Sequence, residues 1–349
     1  MVLVLSIVCI LVSFYFIAIV SDEFFVPAID KIAHKLKLSS DAAGATLLAI
    51  GSSAPEFFTS FVAIMGLVSS DHADVGAGTI VGSAIFNILV IVGIVALFRA
   101  VQLQWKPVMR DIGFYILTII ALLVAFSDGQ IVLYEALGFL VLYGVYIYAV
   151  VNWRKWFHYN EPPEPEQPDF KNSKGLHKVA HSITSLLVPD PNKTKRPALT
   201  FIMSIILIAG LSWVLVDRVI VIADILSINA TFLALSVLAA GTSIPDLIGS
   251  VIVAKQGRGD MAVSNAVGSN IFDVLFCLGF PWALYLVINP GSIAVSNANL
   301  ASSILLLFAT VVAILFLLLI RNWRIGHKSG LFLIALYIAY CVYIAITVA

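Results

Sequence analysis

Long apolar runs separated by short polar clusters make up most of this chain. Ten of them reach the roughly 20 mostly apolar residues that a membrane-spanning helix needs, at 1–20, 39–69, 75–98, 106–127, 130–151, 198–223, 229–254, 261–288, 294–320 and 330–349. The pattern predicts an all-α integral membrane protein of ten transmembrane helices. The first run has no basic segment before it, since the first lysine is Lys31, and Ser21-Asp22-Glu23 follows without a small-residue cleavage site. It is therefore expected to stay as a helix rather than act as a removable signal.

Between runs five and six lies one long polar stretch that divides the chain into 1–151, a linker at 152–197, and 198–349. The linker carries Glu161-Pro-Pro-Glu-Pro-Glu-Gln-Pro168 and Pro189-Asp-Pro191, a proline density that favours extended chain. At this length a sizeable folded domain is not expected. A short amphipathic helix at Leu176–Leu187, resting on the membrane surface, is.

Of the 349 residues, 61% are hydrophobic and 11% charged, against about 25% charged in soluble domains. Twenty basic and twenty acidic residues cancel, which leaves no surplus for nucleic acid. The basic residues carry orientation instead. Nineteen of the twenty Lys and Arg fall in alternate loops: Lys31, Lys35 and Lys37; Arg99, Lys106 and Arg110; eight from Arg154 to Arg196; Lys255 and Arg258; Arg321, Arg324 and Lys328. Those loops are expected on the cytoplasmic side, with both termini on the other. Arg218, beside Asp217, reads as half of a local ion pair, and Glu135 as a side chain reaching the outer surface. Cys9, Cys277 and Cys341 sit in apolar runs with no paired spacing and read as small apolar fillers.

The chain also repeats itself. Gly51-Ser-Ser-Ala-Pro-Glu-Phe-Phe-Thr-Ser60 matches Gly241-Thr-Ser-Ile-Pro-Asp-Leu-Ile-Gly-Ser250 at four of ten positions, and 74–87 matches 260–273 at six of fourteen. Two five-helix units, each with an odd number of spans, are therefore expected in inverted topology, the arrangement of secondary transporters. Pro55 and Pro245 follow Gly51 and Gly241 by four residues, so both helices should break. Alone, that spacing marks only a kink. Glu56 and Asp246 change its meaning, because an ionised side chain inside an apolar run costs at least about 2.5–3.5 kcal/mol on insertion scales. Ser52 and Ser53 precede Glu56, and Thr242 and Ser243 precede Asp246, at spacings that put hydroxyls and carboxylate on one helix face. Thr79, Ser83 and Asn87 form an i, i+4, i+8 stripe answered by Asn265, Ser269 and Asp273. These are hard oxygen donors, suited to Ca²⁺, Mg²⁺ or alkali ions. The histidines (34, 72, 158, 177, 181, 327) fall in loops or at helix ends, which disfavours a histidine proton relay. The spacing of His177 and His181 on the linker is only a weak metal signal.

At these motifs the sequence resembles the cation/Ca²⁺ exchanger superfamily, whose two inverted repeats carry Gly-[Ser/Thr]-Ser-x-Pro-[Glu/Asp] and Gly-Ser-x-x-x-[Asn/Asp]. It is most similar to the K⁺-dependent Na⁺/Ca²⁺ exchangers. The resemblance implies that Glu56 and Asp246 bind Ca²⁺ with the backbone oxygens of Ala49 and Ala239. It implies Na⁺ sites completed by Ser52, Ser53, Thr242, Ser243, Ser83, Ser269, Asn87 and Asp273. Asp246 stands where some members have Glu. The expected activity is antiport of Na⁺ against Ca²⁺, with K⁺ as a further transported ion, no cofactor and no enzymatic chemistry. The partners are the lipid bilayer and inorganic cations, and the expected location is the plasma membrane. A Ca²⁺/H⁺ exchanger of the same superfamily and, from another class, a cation channel are the alternatives. A membrane hydrolase is disfavoured, since no His-Glu-x-x-His is present.

Overall fold

A segment crossing hydrocarbon must satisfy its backbone hydrogen bonds internally, and the apolar runs accordingly form helices. The computed structural model describes residues 2–36, 42, 44–65, 73–98, 100–158, 176–191, 193–194, 196–226, 230–255, 257–295 and 297–347. Lys37, the polar cluster at 70–72, Arg99 and the proline-rich linker segment at 161–168 lie outside the described residues. Among the described residues, eight helices can cross a membrane singly by length and composition, and two bent pairs raise the number to ten.

The first half comprises α1 (Val2–Ile19), α2 (Val26–Leu36), the pair α3 (Ala49–Ser52) and α4 (Ala54–Ile64), then α5 (Ala73–Phe86), α6 (Val92–Phe98), α7 (Trp105–Ala125) and α8 (Leu133–Trp156). After the linker helix α9 (Leu176–Leu187) come α10 (Pro197–Leu226), α11 (Ala230–Leu233), the pair α12 (Ala239–Thr242) and α13 (Ile244–Lys255), α14 (Gly259–Phe272), α15 (Gly279–Ile288), α16 (Asn297–Ile320) and α17 (His327–Thr347). One order, a long helix, a bent pair, an interrupted helix and two more helices, recurs in both halves. Wider π-helical turns also recur at matching places: Gly44–Leu48 and Ala234–Leu238 before the bends, Asn87–Ile91 and Asp273–Leu278 inside the interrupted helices.

These interrupted helices form the centre. Over an 18-residue apolar stretch of each, the buried share is 89% within 76–98 and 67% within 259–288, against 28% within 133–156 and 22% within 327–347. On α8, Tyr134, Leu137, Val141 and Tyr148 face outward, as do Leu305, Val312 and Phe316 on α16. Lipid is the natural solvent for such a surface.

Four two-residue strands tie the halves together. β1 (Val101–Gln102) pairs antiparallel with β4 (Arg324–Ile325), and β2 (Gln130–Ile131) with β3 (Ile293–Ala294). The Leu103 N–H also donates to the Trp323 carbonyl at 2.8 Å, and the Val295 N–H to the Gly129 carbonyl at 3.0 Å. The turn entering α7 thus lies beside the turn leaving α16, and the turn leaving α7 beside the turn entering α16.

Several sequence expectations are corrected. The first helix does not end at residue 20: a π turn at Val20–Phe25 carries it through Glu23 into α2, so Lys31 and Lys35 lie on a helix rather than in a loop. Charge is tolerated there because Glu23 meets two linker histidines, His177 Nε2 at 3.1 Å from Oε1 and His181 Nδ1 against Oε2. The linker helix has the expected bounds, yet it is docked as well as amphipathic. Ala180 and nearby Val188 pack with Ile19 and Phe24, while Val179, Ile183, Leu186 and Leu187 face outward. Arg110 is buried inside α7, where Asp111 neutralises it at 2.8 Å and the Trp153 ring lies 5.9 Å away. Glu135 caps α8, accepting the Val132 N–H at 3.0 Å. Asp217 and Arg218 form the expected local pair, Nε to Oδ2 at 2.7 Å.

Candidate functional site

Both breaks fall on a serine. Ser53 (φ −82°, ψ 10°) and Ser243 (φ −80°, ψ 6°) leave helical geometry, and the chain bends by 53° and 43°. Pro55 and Pro245 then sit in the first turn of the next helix, where a missing N–H costs least. Glu56 and Asp246 follow in that same turn, where the partial positive charge of a helix N-terminus favours an anion. The helix before each break ends in carbonyls instead. Ala49 O accepts the Ser53 N–H at 3.0 Å and Ala239 O the Ser243 N–H at 3.3 Å. The Ser52 hydroxyl donates to Leu48 O at 2.7 Å and lies 3.5 Å from Ala49 O, and the Thr242 hydroxyl lies 3.3 Å from Ala239 O.

Helical spacing places each hydroxyl pair with its own carboxylate, and the structure overturns this. The hydroxyls that precede each bend are exchanged between the halves, whereas Ser83 and Ser269 stay with the acid of their own half. Ser243 Oγ donates to Glu56 Oε1 at 3.0 Å, with Ser83 Oγ at 3.4 Å from the same oxygen and 2.9 Å from Ser243 Oγ. Thr242 lies beside Glu56, while Ser52, Ser269 and Asn265 lie around Asp246. Asn87 Nδ2 reaches Asp246 Oδ2 at 2.9 Å and Ser269 Oγ at 3.1 Å. The bends turn the hydroxyls away from their own acid, and two close helix crossings bring in the other half. A Cβ on Gly82 would lie 2.5 Å from Leu235 O, and one on Gly268 2.8 Å from Ala45 Cα. Only glycine lets α5 and α14 approach the opposite π turn this closely.

Every residue singled out in the sequence is brought to this one region: Glu56, Asp246, Ala49, Ala239, Ser52, Ser53, Thr242, Ser243, Ser83, Asn87, Ser269 and Asp273 are all buried. Thr79 and Asn265 are buried with them. One asymmetry stands out. In the first half the stripe ends in Asn87, whose amide donates to Asp246. In the second it ends in Asp273, which lies near Glu56 and Ser53 and has no N–H to donate. Among the described residues, Glu56 Oε2, Asp246 Oδ1, Asp273 Oδ2 and Asn87 Oδ1 find no hydrogen-bond partner. Buried acceptors in this condition are costly unless a cation meets them. Among the described residues no three His, Cys, Asp or Glu side chains cluster as a single metal cage. The oxygens are instead spread through a mixed carboxylate, hydroxyl and amide region, suited to more than one hard cation.

The family model for the sodium/calcium exchanger protein family matches residues 6–152 and 196–346, both halves without the linker. The chain belongs to that family. As one of its members it is a multi-pass membrane ion transporter and not an enzyme. Among similar proteins, sodium/potassium/calcium exchanger 4 of Homo sapiens is 30% identical, aligning with 94% of this chain and 78% of its own length. Sodium/potassium/calcium exchanger 2 of Gallus gallus is 29% identical over 97% of this chain and 76% of its own. Among solved structures, the sodium-calcium exchanger NCX_Mj superposes with a TM-score of 0.64 at 23% identity, covering 97% of both chains. That likeness concerns the fold.

For this exchanger-family chain, sequence reading missed a supporting layer. Asn270 Oδ1 accepts from Asn87 Nδ2 at 3.0 Å, and its own Nδ2 reaches Ala84 O and the Tyr115 hydroxyl, each at 3.0 Å. Ser250 accepts from Asn265 Nδ2 at 3.0 Å. Asp111, a fourth buried acid, is held by Arg110 and by Ser264 Oγ at 3.0 Å. An acid in an apolar run was the available signal for Asp111, and the adjacent arginine disguised it as loop.

Proposed function

We propose that this chain is a secondary active antiporter exchanging Na⁺ for Ca²⁺ by alternating access, with K⁺ moving alongside Ca²⁺. The observation that carries the reading is the set of buried carboxylate oxygens on Glu56, Asp246 and Asp273 left without protein partners, on two broken helices and one interrupted helix. A divalent ion needs carboxylates and carbonyls. In this reading Glu56 and Asp246, with Ala49 and Ala239 oxygens, hold Ca²⁺, while Ser52, Ser53, Thr242, Ser243, Ser83, Asn87, Ser269 and Asp273 complete the Na⁺ sites.

Three ionised acids exceed the charge of Ca²⁺ by one, and unbalanced charge at such a place is expensive. K⁺ beside Asp273 restores neutrality, as do three Na⁺ in the exchanged state. The names of the similar sodium/potassium/calcium exchangers support the same assignment. The inverted relation of the halves is supported by the strand pairs: corresponding turns of the two halves lie at opposite ends of α7 and α16. The alternating distribution of Lys and Arg supports a cytoplasmic linker and termini on the opposite face. We place the protein in the plasma membrane. Alternating access falls to α1 and α10, which pack along each other through Ile10, Ile17, Leu215 and Val219 outside the central helices.

The test is Ca²⁺ uptake into proteoliposomes under outward Na⁺, K⁺ or H⁺ gradients applied one at a time. The reading requires uptake driven by Na⁺. Uptake driven only by H⁺ would favour the Ca²⁺/H⁺ exchanger, and flux indifferent to every counter-ion a channel.

A further inference from the structure

Cys277 packs in the buried core beside a carboxylate of the candidate site. It lies one turn beyond Asp273 in the π-helical segment Asp273–Leu278, fully buried, with Sγ 3.7 Å from Asp273 Oδ1. The other carboxylate oxygen, Asp273 Oδ2, is buried with no hydrogen-bond partner among the described residues, and Ser53 lies beside the same carboxylate. Packing alone does not require sulfur here. The matching position in the first half, four residues past Asn87, is Ile91, also buried. The second half thus replaces an aliphatic side chain with a thiol at the place where it also replaces an amide with a carboxylate.

We propose that Cys277 and Asp273 form a mixed sulfur and oxygen subsite that makes this chain bind thiophilic divalent cations, with Cd²⁺ as the representative, more tightly than the oxygen ligands alone allow. This deepens the cation-site reading and rests on it. Cd²⁺ has a charge and size close to those of Ca²⁺, so it enters wherever Ca²⁺ does, and soft sulfur ligands then favour it. A bond forms from Sγ to Cd²⁺ as the S–H proton leaves to water, with Asp273 and neighbouring oxygens completing the coordination. The bound ion is held by a ligand that neither Ca²⁺ nor Na⁺ engages, so Cd²⁺ acts as a slow or arresting substrate. Cys9 and Cys341, elsewhere and partly exposed, take no part.

The experiment uses full-length protein in nanodiscs, without Na⁺. Radioactive Cd²⁺ binding by equilibrium dialysis is read together with the ultraviolet thiolate-to-cadmium charge-transfer band, for wild type, Cys277→Ala, Cys277→Ser and the double variant Cys9→Ser with Cys341→Ser. Wild type and the double variant should show the band. Both Cys277 variants should lose it, with the ratio of Cd²⁺ to Ca²⁺ affinity falling at least about tenfold. Absence of the band in wild type, or its persistence in Cys277→Ala, overturns the proposal and leaves the cation-site reading intact. A band that depends on Cys277 but is not displaced by excess Na⁺ and K⁺ overturns the assignment of Asp273 to those ions while the thiol and carboxylate subsite stands.

Discussion

Glu56 and Asp246 do not have the same surroundings, yet each keeps one buried oxygen without a partner among the described residues. Each loses its charge with little change of shape in Glu56→Gln or Asp246→Asn. A charge-assisted contact to an ion is worth about 1.5–3 kcal/mol, so Na⁺-driven Ca²⁺ flux should fall by about 10- to 150-fold in either, with protein yield unchanged. Transport at the wild-type rate by either variant would remove that residue from the Ca²⁺ site. Asp273→Asn is the sharper probe, because it restores the amide that Asn87 supplies in the other half. Wild-type flux should collapse when K⁺ is replaced by an impermeant organic cation, and Asp273→Asn should become indifferent to K⁺. Undiminished wild-type flux without K⁺ would leave Asp273 as a Na⁺ ligand. The three acids were legible in the sequence because charge in an apolar run has few bland explanations. Their partners were not, since Ser243 reaching Glu56 and Asn87 reaching Asp246 depend on a crossing between segments more than 150 residues apart.

At the scale of elements, the helix breaks could be read from Gly-x-x-x-Pro, whereas the π turns could not. A widened turn is a property of hydrogen-bond registry, and Gly44–Leu48 or Ala234–Leu238 carry no residue type that announces it. Those turns matter because Gly82 and Gly268 pack directly against them. Gly268→Ala would press a methyl group into the Ala45 backbone, an overpacking that typically costs about 1–3 kcal/mol. A lowered melting temperature of the purified protein in detergent is the expected outcome, with Gly138→Ala, whose added Cβ meets nothing within 4 Å, as the neutral comparison. The linker helix gives a second prediction at this scale. Its attachment to the first span runs through one carboxylate facing two histidines, so Glu23→Gln should weaken the docking of α9. Hydrogen exchange over residues 176–187 should rise while exchange in the central helices stays unchanged; equal protection in both proteins would assign the docking to Ala180 and Val188 alone.

For the whole molecule, the apolar runs anticipated a helical membrane fold with eight to ten candidate spans among the described residues, and the differences lie at boundaries. Polar residues normally end a span, so Ser21-Asp22-Glu23 reads as a helix end, and of these Glu23 meets His177 and His181 of the docked linker helix. The division between a central pair of interrupted helices and the outer pair α1 and α10 suggests where motion falls. A reversible disulfide between cysteines introduced on the facing sides of α10 and the bent pair 234–255 should stop exchange, and reduction should restore it. Full transport with the crosslink formed would assign the motion to other helices.

The two short ladders have a further consequence, one for assembly. Val101–Gln102 and Gln130–Ile131 come from the first half, and their partners at 324–325 and 293–294 from the second; the side chains around Glu56 and Asp246 interlock in the same way. Neither half contains a complete site or a complete ladder by itself, so the covalent linker acts as a tether that raises effective concentration. Two polypeptides made separately, 1–158 and 176–349, should therefore find each other in the membrane, and an affinity tag on one should retrieve the other in stoichiometric amount. In that sense the protein is a heterodimer whose subunits happen to share a single chain.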